Sequence, residues 1–206
     1  MSLKKSFIII FLVLLADQIF KIWVKLNMTL GEEIPVFHDW FFLYFTENNG
    51  MAFGIQFGGE WGKLSLSIFR ILAVIALLVY LYLLTRKKKK FGLIFSISLI
   101  AAGALGNILD SAFYGMYFTQ SSYHTVAEVA GQGQGYASFL HGKVVDMLYF
   151  PIISISQSSA PSWIPDFIFG PDGKFIFFRP IFNIADSSIT IGVFWLLLFQ
   201  RKNLHL

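Results

Sequence analysis

The sequence predicts an all-α membrane core of four spanning helices, with a small β-sheet element on its outer face and a long second outer loop. Three observations predict it. Apolar residues make up 56% of the 206-residue chain and gather in four blocks, while only 14% of residues are charged, against about 25% in soluble domains. The basic residues cluster beside those blocks. An aromatic and β-branched run separates the first block from the second.

The blocks are residues 6–26, 64–84, 91–113 and 182–199. Each comes close to the ~20 residues that cross ~30 Å of hydrocarbon. The first follows basic residues, as a signal peptide would, but it runs on through Asp17 and Lys21 with no small-residue cleavage site. It therefore reads as a retained span. Lys4-Lys5, Arg86-Lys87-Lys88-Lys89-Lys90 and Arg201-Lys202 flank the blocks, and short basic segments face the cytoplasm. Both termini are thus expected inside, and the two long loops, residues 27–63 and 114–181, outside. This placement accounts for the net charge of +4 without a nucleic-acid partner. One membrane domain over 1–206, present as a monomer, is the expectation. The absence of cysteine excludes disulfides, thiolate metal sites and a cysteine nucleophile.

In the first loop, residues 34–46 favour strands by their aromatic and β-branched content, and Asn48-Asn49-Gly50 follows as a turn signal. A small sheet on the membrane surface is expected there. In the second loop, the glycine-rich run 131–135 follows no strand and opens no helix, so it reads as a flexible loop and not a phosphate cradle. Residues 144–155 are too short, and too interrupted by Asp146 and Pro151, for a fifth span. Residues 170–173 read as a hairpin turn joining 167–169 to 175–178.

Few polar residues fall at membrane depth. At ~1.5 Å rise per residue, Asp17, Asp110 and Asp186 all lie in the outer half of the bilayer or at its surface. The outer loops add Asn48 and Asp146 at the same level. An ionised aspartate in hydrocarbon costs roughly 2.5–3.5 kcal/mol, so each needs a partner, a proton or water. Asp17 and Lys21 are spaced i,i+4, Asn107 and Asp110 i,i+3, and Asn183 and Asp186 i,i+3, so each pair shares a helix face. Asp17–Lys21 reads as a structural ion pair. Asn107 and Asn183 stand open between interhelical hydrogen bonding and substrate contact.

Asp146 and Asp186 have no basic residue at helical spacing, although Lys143 and Arg179 are within reach. Two carboxylates that meet cannot both ionise. The pair would share a proton and offer a general base and a general acid, as in aspartic proteases. That scheme calls for no metal and no cofactor. The four histidines lack metal-ligand spacing, and His141, near Asp146 in sequence, is a further proton-exchange candidate. The rival reading is a non-enzymatic membrane transport or proton-relay subunit, which expects acids at several depths and not at one level.

Five short stretches resemble the lipoprotein signal peptidase (signal peptidase II) family of bacteria. They are Asp17-Gln18-x-x-Lys21, Asn48-x-Gly50-x-Ala52-Phe53, Gly103-x-x-Gly106-Asn107-x-x-Asp110, Val144-Val145-Asp146 and Phe182-Asn183-x-Ala185-Asp186-Ser187. The resemblance implies an aspartyl endopeptidase with Asp146 and Asp186 as the catalytic pair. It implies that Asn48, Gly50, Asn107, Asp110, Asn183 and Ala185 shape the site, and that Asp17 and Lys21 support it. It also implies a diacylglyceryl-modified prolipoprotein as substrate, cut just before the lipidated cysteine at the outer face of the cytoplasmic (inner) membrane. Membrane lipids would be partners, and inhibitors such as globomycin would bind. Two features depart from the pattern. Ser111 stands where the family usually has arginine, which makes Arg179 a candidate stand-in, and the second outer loop is longer on both sides of Asp146.

Overall fold

The computed structural model describes residues 1–49, 59–161, 163–170 and 173–203. Three of its helices are long and apolar enough to cross a membrane: α1 (Leu3–Asn27), α2 (Gly59–Arg86, apolar from Gly62) and α3 (Phe91–Tyr117). A shorter apolar helix, α4 (Ile184–Gln200), follows near the C-terminus. The strands are β1 (Glu33–Phe37), β2 (Phe41–Asn48), β3 (Val144–Tyr149), β4 (Ile153–Ser156), β5 (Lys174–Phe177) and β6 (Ile181–Phe182). Every basic cluster lies at the helix ends remote from the strands.

The helices hold together through an apolar seam and through close approach. Ile10 of α1, Leu81 and Leu84 of α2, and Leu93, Ile94 and Ile97 of α3 form one buried cluster. α4 instead lies almost backbone to backbone on α3. A Cβ at Gly103 would stand 2.1 Å from the Ala185 carbonyl oxygen, and one at Gly106 would stand 2.8 Å from Oδ2 of Asp17. Small residues permit this approach where apolar solvent gives helices no hydrophobic reason to associate. α3 also contains a π-helical turn, Asp110–Tyr114, a feature frequent at functional sites.

The main sheet is antiparallel throughout, in the order β1-β2-β3-β6. Alternation along β2 turns Leu43 and Phe45 inward, where they meet Val24, Met28, Val145, Met147 and Tyr114 in a second core. Thr46 lies opposite Asp146 and Asn48 opposite Val144, so Asn48 and Asp146 are diagonal neighbours on the other face. The apolar run at 144–155 thus splits: 144–149 are a central strand that completes the sheet expected from residues 34–46, and 153–155 pair with β5 in a second sheet.

Two expectations are corrected. β5 pairs with β4 and not with residues 167–169, of which Asp166–Ile168 form a 3-10 turn. Gly173 N–H donates to the Gly170 carbonyl, while Pro171 and Asp172 of the expected turn lie outside the described residues. The last helix starts at Ile184, not at 182, because Asn183 is its N-cap in extended conformation and 181–182 pair with β3. Asn183 and Asp186 therefore do not share a helix face; the asparagine sits outside the helix and closes its end.

Candidate active site

The site is built where the N-terminus of α4 meets β3 and the π turn of α3. The first turn of a helix leaves backbone N–H groups without partners, and here two of them are met by site residues. Asp186 N–H donates to Asn183 Oδ1 at 2.8 Å, and Ala185 N–H donates to Asp17 Oδ1 at 2.8 Å. Asp17 is thereby an anion docked on a helix N-terminus from a neighbouring helix, a favourable placement for a carboxylate. Ala185 is fully buried at this junction.

With its Oδ1 engaged as the cap, Asn183 turns its Nδ2 toward β3. That nitrogen donates to Asp146 Oδ1 at 2.6 Å and to Asn107 Oδ1 at 3.1 Å. Asn107 in turn donates from Nδ2 to Asp186 Oδ1 at 2.8 Å. Asn48 donates to the other oxygen of Asp146. A continuous hydrogen-bonded chain thus runs Asp186–Asn107–Asn183–Asp146–Asn48. It joins carboxylates 40 residues apart in sequence, and both asparagines make side-chain hydrogen bonds to the acids within it.

Beneath this chain lies a buried charge cluster. Lys21 Nζ is 2.9 Å from Asp17 Oδ2 and 2.8 Å from Asp110 Oδ2, and donates to Asn107 Oδ1 at 2.9 Å. Its three donors are all engaged. The pair expected between Asp17 and Lys21 is therefore half of a triad. Asp110 also accepts from Gln18 Nε2 at 2.9 Å and from the Val145 backbone N–H at 3.2 Å. The second bond fixes β3, and with it Asp146, against α3. Tyr114 donates its hydroxyl to Gln18 Oε1 at 3.2 Å. Asp110 and Tyr114, the two ends of the π turn, both reach this cluster through Gln18.

The two acids sit in different surroundings. Asp146 is 3% exposed, whereas Asp186 is half-buried at the mouth. Burial pushes the Asp146 carboxyl up to about 7, and the nearby charge of Asp186 adds to the rise. Lys21 and the Asn183 hydrogen bond oppose it. A carboxyl of this kind can hold a proton near neutrality.

Other sequence candidates lie apart from the chain of hydrogen bonds. Arg179, between β5 and β6, is exposed and donates from Nη2 to the Lys174 carbonyl at 2.9 Å. Lys143 approaches Glu47 at 3.7 Å. His141 bonds through Nδ1 with Ser138 and Phe139. Ser111 is buried and donates its hydroxyl to the Asn107 carbonyl at 3.1 Å. Gly50, with Ala52 and Phe53 of the same motif, lies outside the described residues. Sequence reasoning missed the contribution of Gln18 beyond its place in a motif, and it missed a second buried cation, Lys25. Lys25 pairs with Glu47 and bonds Ser121 Oγ at 2.9 Å. A charged residue inside an apolar span was the available signal.

The chain matches the family model described as signal peptidase (SPase) II over residues 9–201. It is similar to a lipoprotein signal peptidase of Porphyromonas gingivalis, 44% identical over 200 residues that cover 96% of this chain and 83% of the relative. A lipoprotein signal peptidase of Amoebophilus asiaticus is 34% identical over 204 residues, covering 98% and 79%. Two solved structures of bacterial membrane enzymes superpose on it. One has a TM-score of 0.62 at 25% identity, covering 98% of this chain and 90% of that one, and the other 0.60 at 27% identity, covering 95% and 92%.

Proposed function

The chain belongs to the signal peptidase II family, and from that premise we propose that Asp146 and Asp186 cleave a peptide bond as an aspartyl pair. The observation that carries this reading is the chain of hydrogen bonds through Asn107 and Asn183. It brings one carboxylate from a strand and one from a helix start into a single site.

At neutral pH the pair holds one proton, on Asp146. Asp186 takes a proton from water as the water oxygen attacks the scissile carbonyl carbon, and Asp146 gives its proton to the carbonyl oxygen. The resulting tetrahedral diol collapses. Asp186 passes its proton to the departing nitrogen as the C–N bond breaks, and a diol hydroxyl returns one to Asp146. The enzyme is left as it began, with no covalent intermediate. Positioned acid and base groups of this kind contribute about 10²–10⁴-fold each.

The substrate in this reading is a diacylglyceryl-modified prolipoprotein, cut just ahead of its lipidated cysteine. All four apolar helices span the cytoplasmic (inner) membrane of a bacterium. The basic clusters face the cytoplasm with both termini, and the sheet and the acids stand at the outer face. A signal helix would cross beside α3 and α4, with its scissile bond level with the acids and its acyl chains in the outer leaflet. Globomycin would compete for this site, and the protein would act as a monomer.

The test is cleavage of a diacylglyceryl-modified prolipoprotein by purified wild type, Asp146→Asn and Asp186→Asn, with thermal unfolding of each. Cleavage by wild type, with a loss of about 10²-fold or more in both folded variants, supports the reading. Wild-type cleavage that is indifferent to both substitutions would overturn it.

A further inference from the structure

A cation that the mechanism does not use closes the open end of the β2–β3 ladder. Glu47 and Asn48, the last residues of β2, lie opposite Val145 and Val144, the first residues of β3. Beyond them the chain leaves β2 through Asn49 and enters β3 through residues 140–143. Lys63, in the first turns of α2, reaches both segments. Its Nζ donates to Asn49 Oδ1 at 3.1 Å and to the His141 carbonyl at 2.7 Å. Ser67, one turn further along the same helix face, donates its hydroxyl to the Leu140 carbonyl at 3.2 Å. A lysine near the end of a span ordinarily turns its ammonium out to the interface. Lys63 spends it on two segments that flank the site.

The π turn of α3 grips the same entry segment. Leu140 N–H donates to the Ala112 carbonyl at 3.3 Å, and Gly142 N–H donates to the Ser111 carbonyl at 2.8 Å. A Cβ at Gly142 would stand 2.2 Å from the Asp110 carbonyl oxygen. Leu140 holds a left-handed backbone, φ 66°, which persists in a leucine only where the surroundings impose it. Residues 140–142 are therefore bound to both α2 and α3, and the strand that carries Asp146 begins just beyond them. Asn48, which donates to Asp146, is joined to the same clamp through its neighbour Asn49. A donor serves a catalytic group only when held within about 0.5 Å of its working position.

We propose that Lys63 is a positioning residue of the peptidase site. By joining Asn49 to His141 it holds the end of β2 against the entry to β3, and so keeps the Asn48 amide on Asp146. This deepens the aspartyl reading and rests on it. It also gives α2, which contributes none of the hydrogen-bonded chain between the acids, a part in the geometry of the site.

The experiment is steady-state cleavage of a diacylglyceryl-modified prolipoprotein by the purified full-length chain. It compares wild type, Lys63→Met, Lys63→Arg, Asn48→Ala and the double variant Lys63→Met with Asn48→Ala, with thermal unfolding of each. Lys63→Met should lower kcat by about tenfold or more, as misplacement of a catalytic group does, and leave KM little changed. Lys63→Arg, which also offers several donors, should recover most of kcat. In the Asn48→Ala background Lys63→Met should remove little more, because residues that act through one another are not additive. Lys63→Gln is read the same way and replaces Lys63→Met if that variant does not fold. An unchanged kcat in Lys63→Met, a loss confined to KM, an arginine variant no better than the methionine one, or a full further loss in the Asn48→Ala background overturns the inference. Failure of wild type to cleave at all would instead remove the peptidase reading beneath it.

Discussion

Lys21 and Lys25 stand one turn apart on the same face of α1, and both are fully buried, yet they serve different ends. Like charges at this spacing repel, so each must be neutralised separately. Lys21 is held by two carboxylates and an amide, and its network reaches Asp186 and Asp146. Lys25 is held by one carboxylate, Glu47, by the Ser121 hydroxyl, and by the faces of Phe118 and Tyr136 at 5.6 and 5.0 Å. Its network ends on the inner side of β2, one residue from Asn48. The first cluster lies under the paired acids; the second ties the sheet to the helices. Buried charge in one short helix therefore does two jobs, and partner type separates them.

Removing each cation in turn sharpens this contrast. Lys21→Met leaves Asp17 and Asp110 facing each other without a cation, and breaking a buried pair costs about 3–5 kcal/mol. Chemical denaturation should show that loss. The alkaline limb of cleavage in any folded fraction should move to higher pH, since Lys21 is one of the groups holding the Asp146 carboxyl down.

At the second cluster, Lys25→Met or Glu47→Gln alone should destabilise measurably. The paired change Lys25→Met with Glu47→Leu should recover most of the loss, as apolar replacement of a buried pair often does. Cleavage by the double variant should stay within about tenfold of wild type. A larger fall would place Glu47 in the proton network and erase the distinction.

Stability against pH separates Asp146 from an ordinary structural acid. Its folded value of about 7 lies above the ~3.9 of an unfolded aspartate, so the folded state binds the extra proton between them. Stability should therefore fall as pH rises from about 4 to about 7 and level off above. Asp146→Asn should flatten this slope and match or exceed wild type in melting temperature at alkaline pH. The smallest effect is expected at Arg179, where Arg179→Ala should change stability by less than about 0.5 kcal/mol and leave cleavage intact. A marked loss would return Arg179 to the site.

The helical part of this site was legible because helical spacing reports faces. Asp17 with Lys21, and Asn107 with Asp110, share faces as their intervals require. The parts that depend on contacts distant in sequence were not. Nothing local marks 144–149 as the central strand that carries Asp146, since an apolar run reads alike as strand or buried helix. β5 chose β4 over the nearer 167–169 because Asp166–Ile168 closed into a 3-10 turn. Asn183 looked like a helical residue until its cap geometry turned its amide toward β3. The π turn at Asp110 leaves no periodic signature in a uniformly apolar stretch, yet it sets Asp110 against Val145. Arg179, read as a stand-in for the arginine that Ser111 replaces, stands on an exposed face beyond β5, bonded to the Lys174 carbonyl.

In the proposed mechanism the two acids share one proton, held on Asp146. Infrared spectroscopy tests it most directly, through the carbonyl band of a protonated carboxyl recorded across neutral pH in wild type and Asp146→Asn. Wild type should show a band that disappears with a midpoint near 7 and is missing from Asp146→Asn. A band that persists unchanged in Asp146→Asn, or a wild type with no titrating band near neutrality, would contradict it.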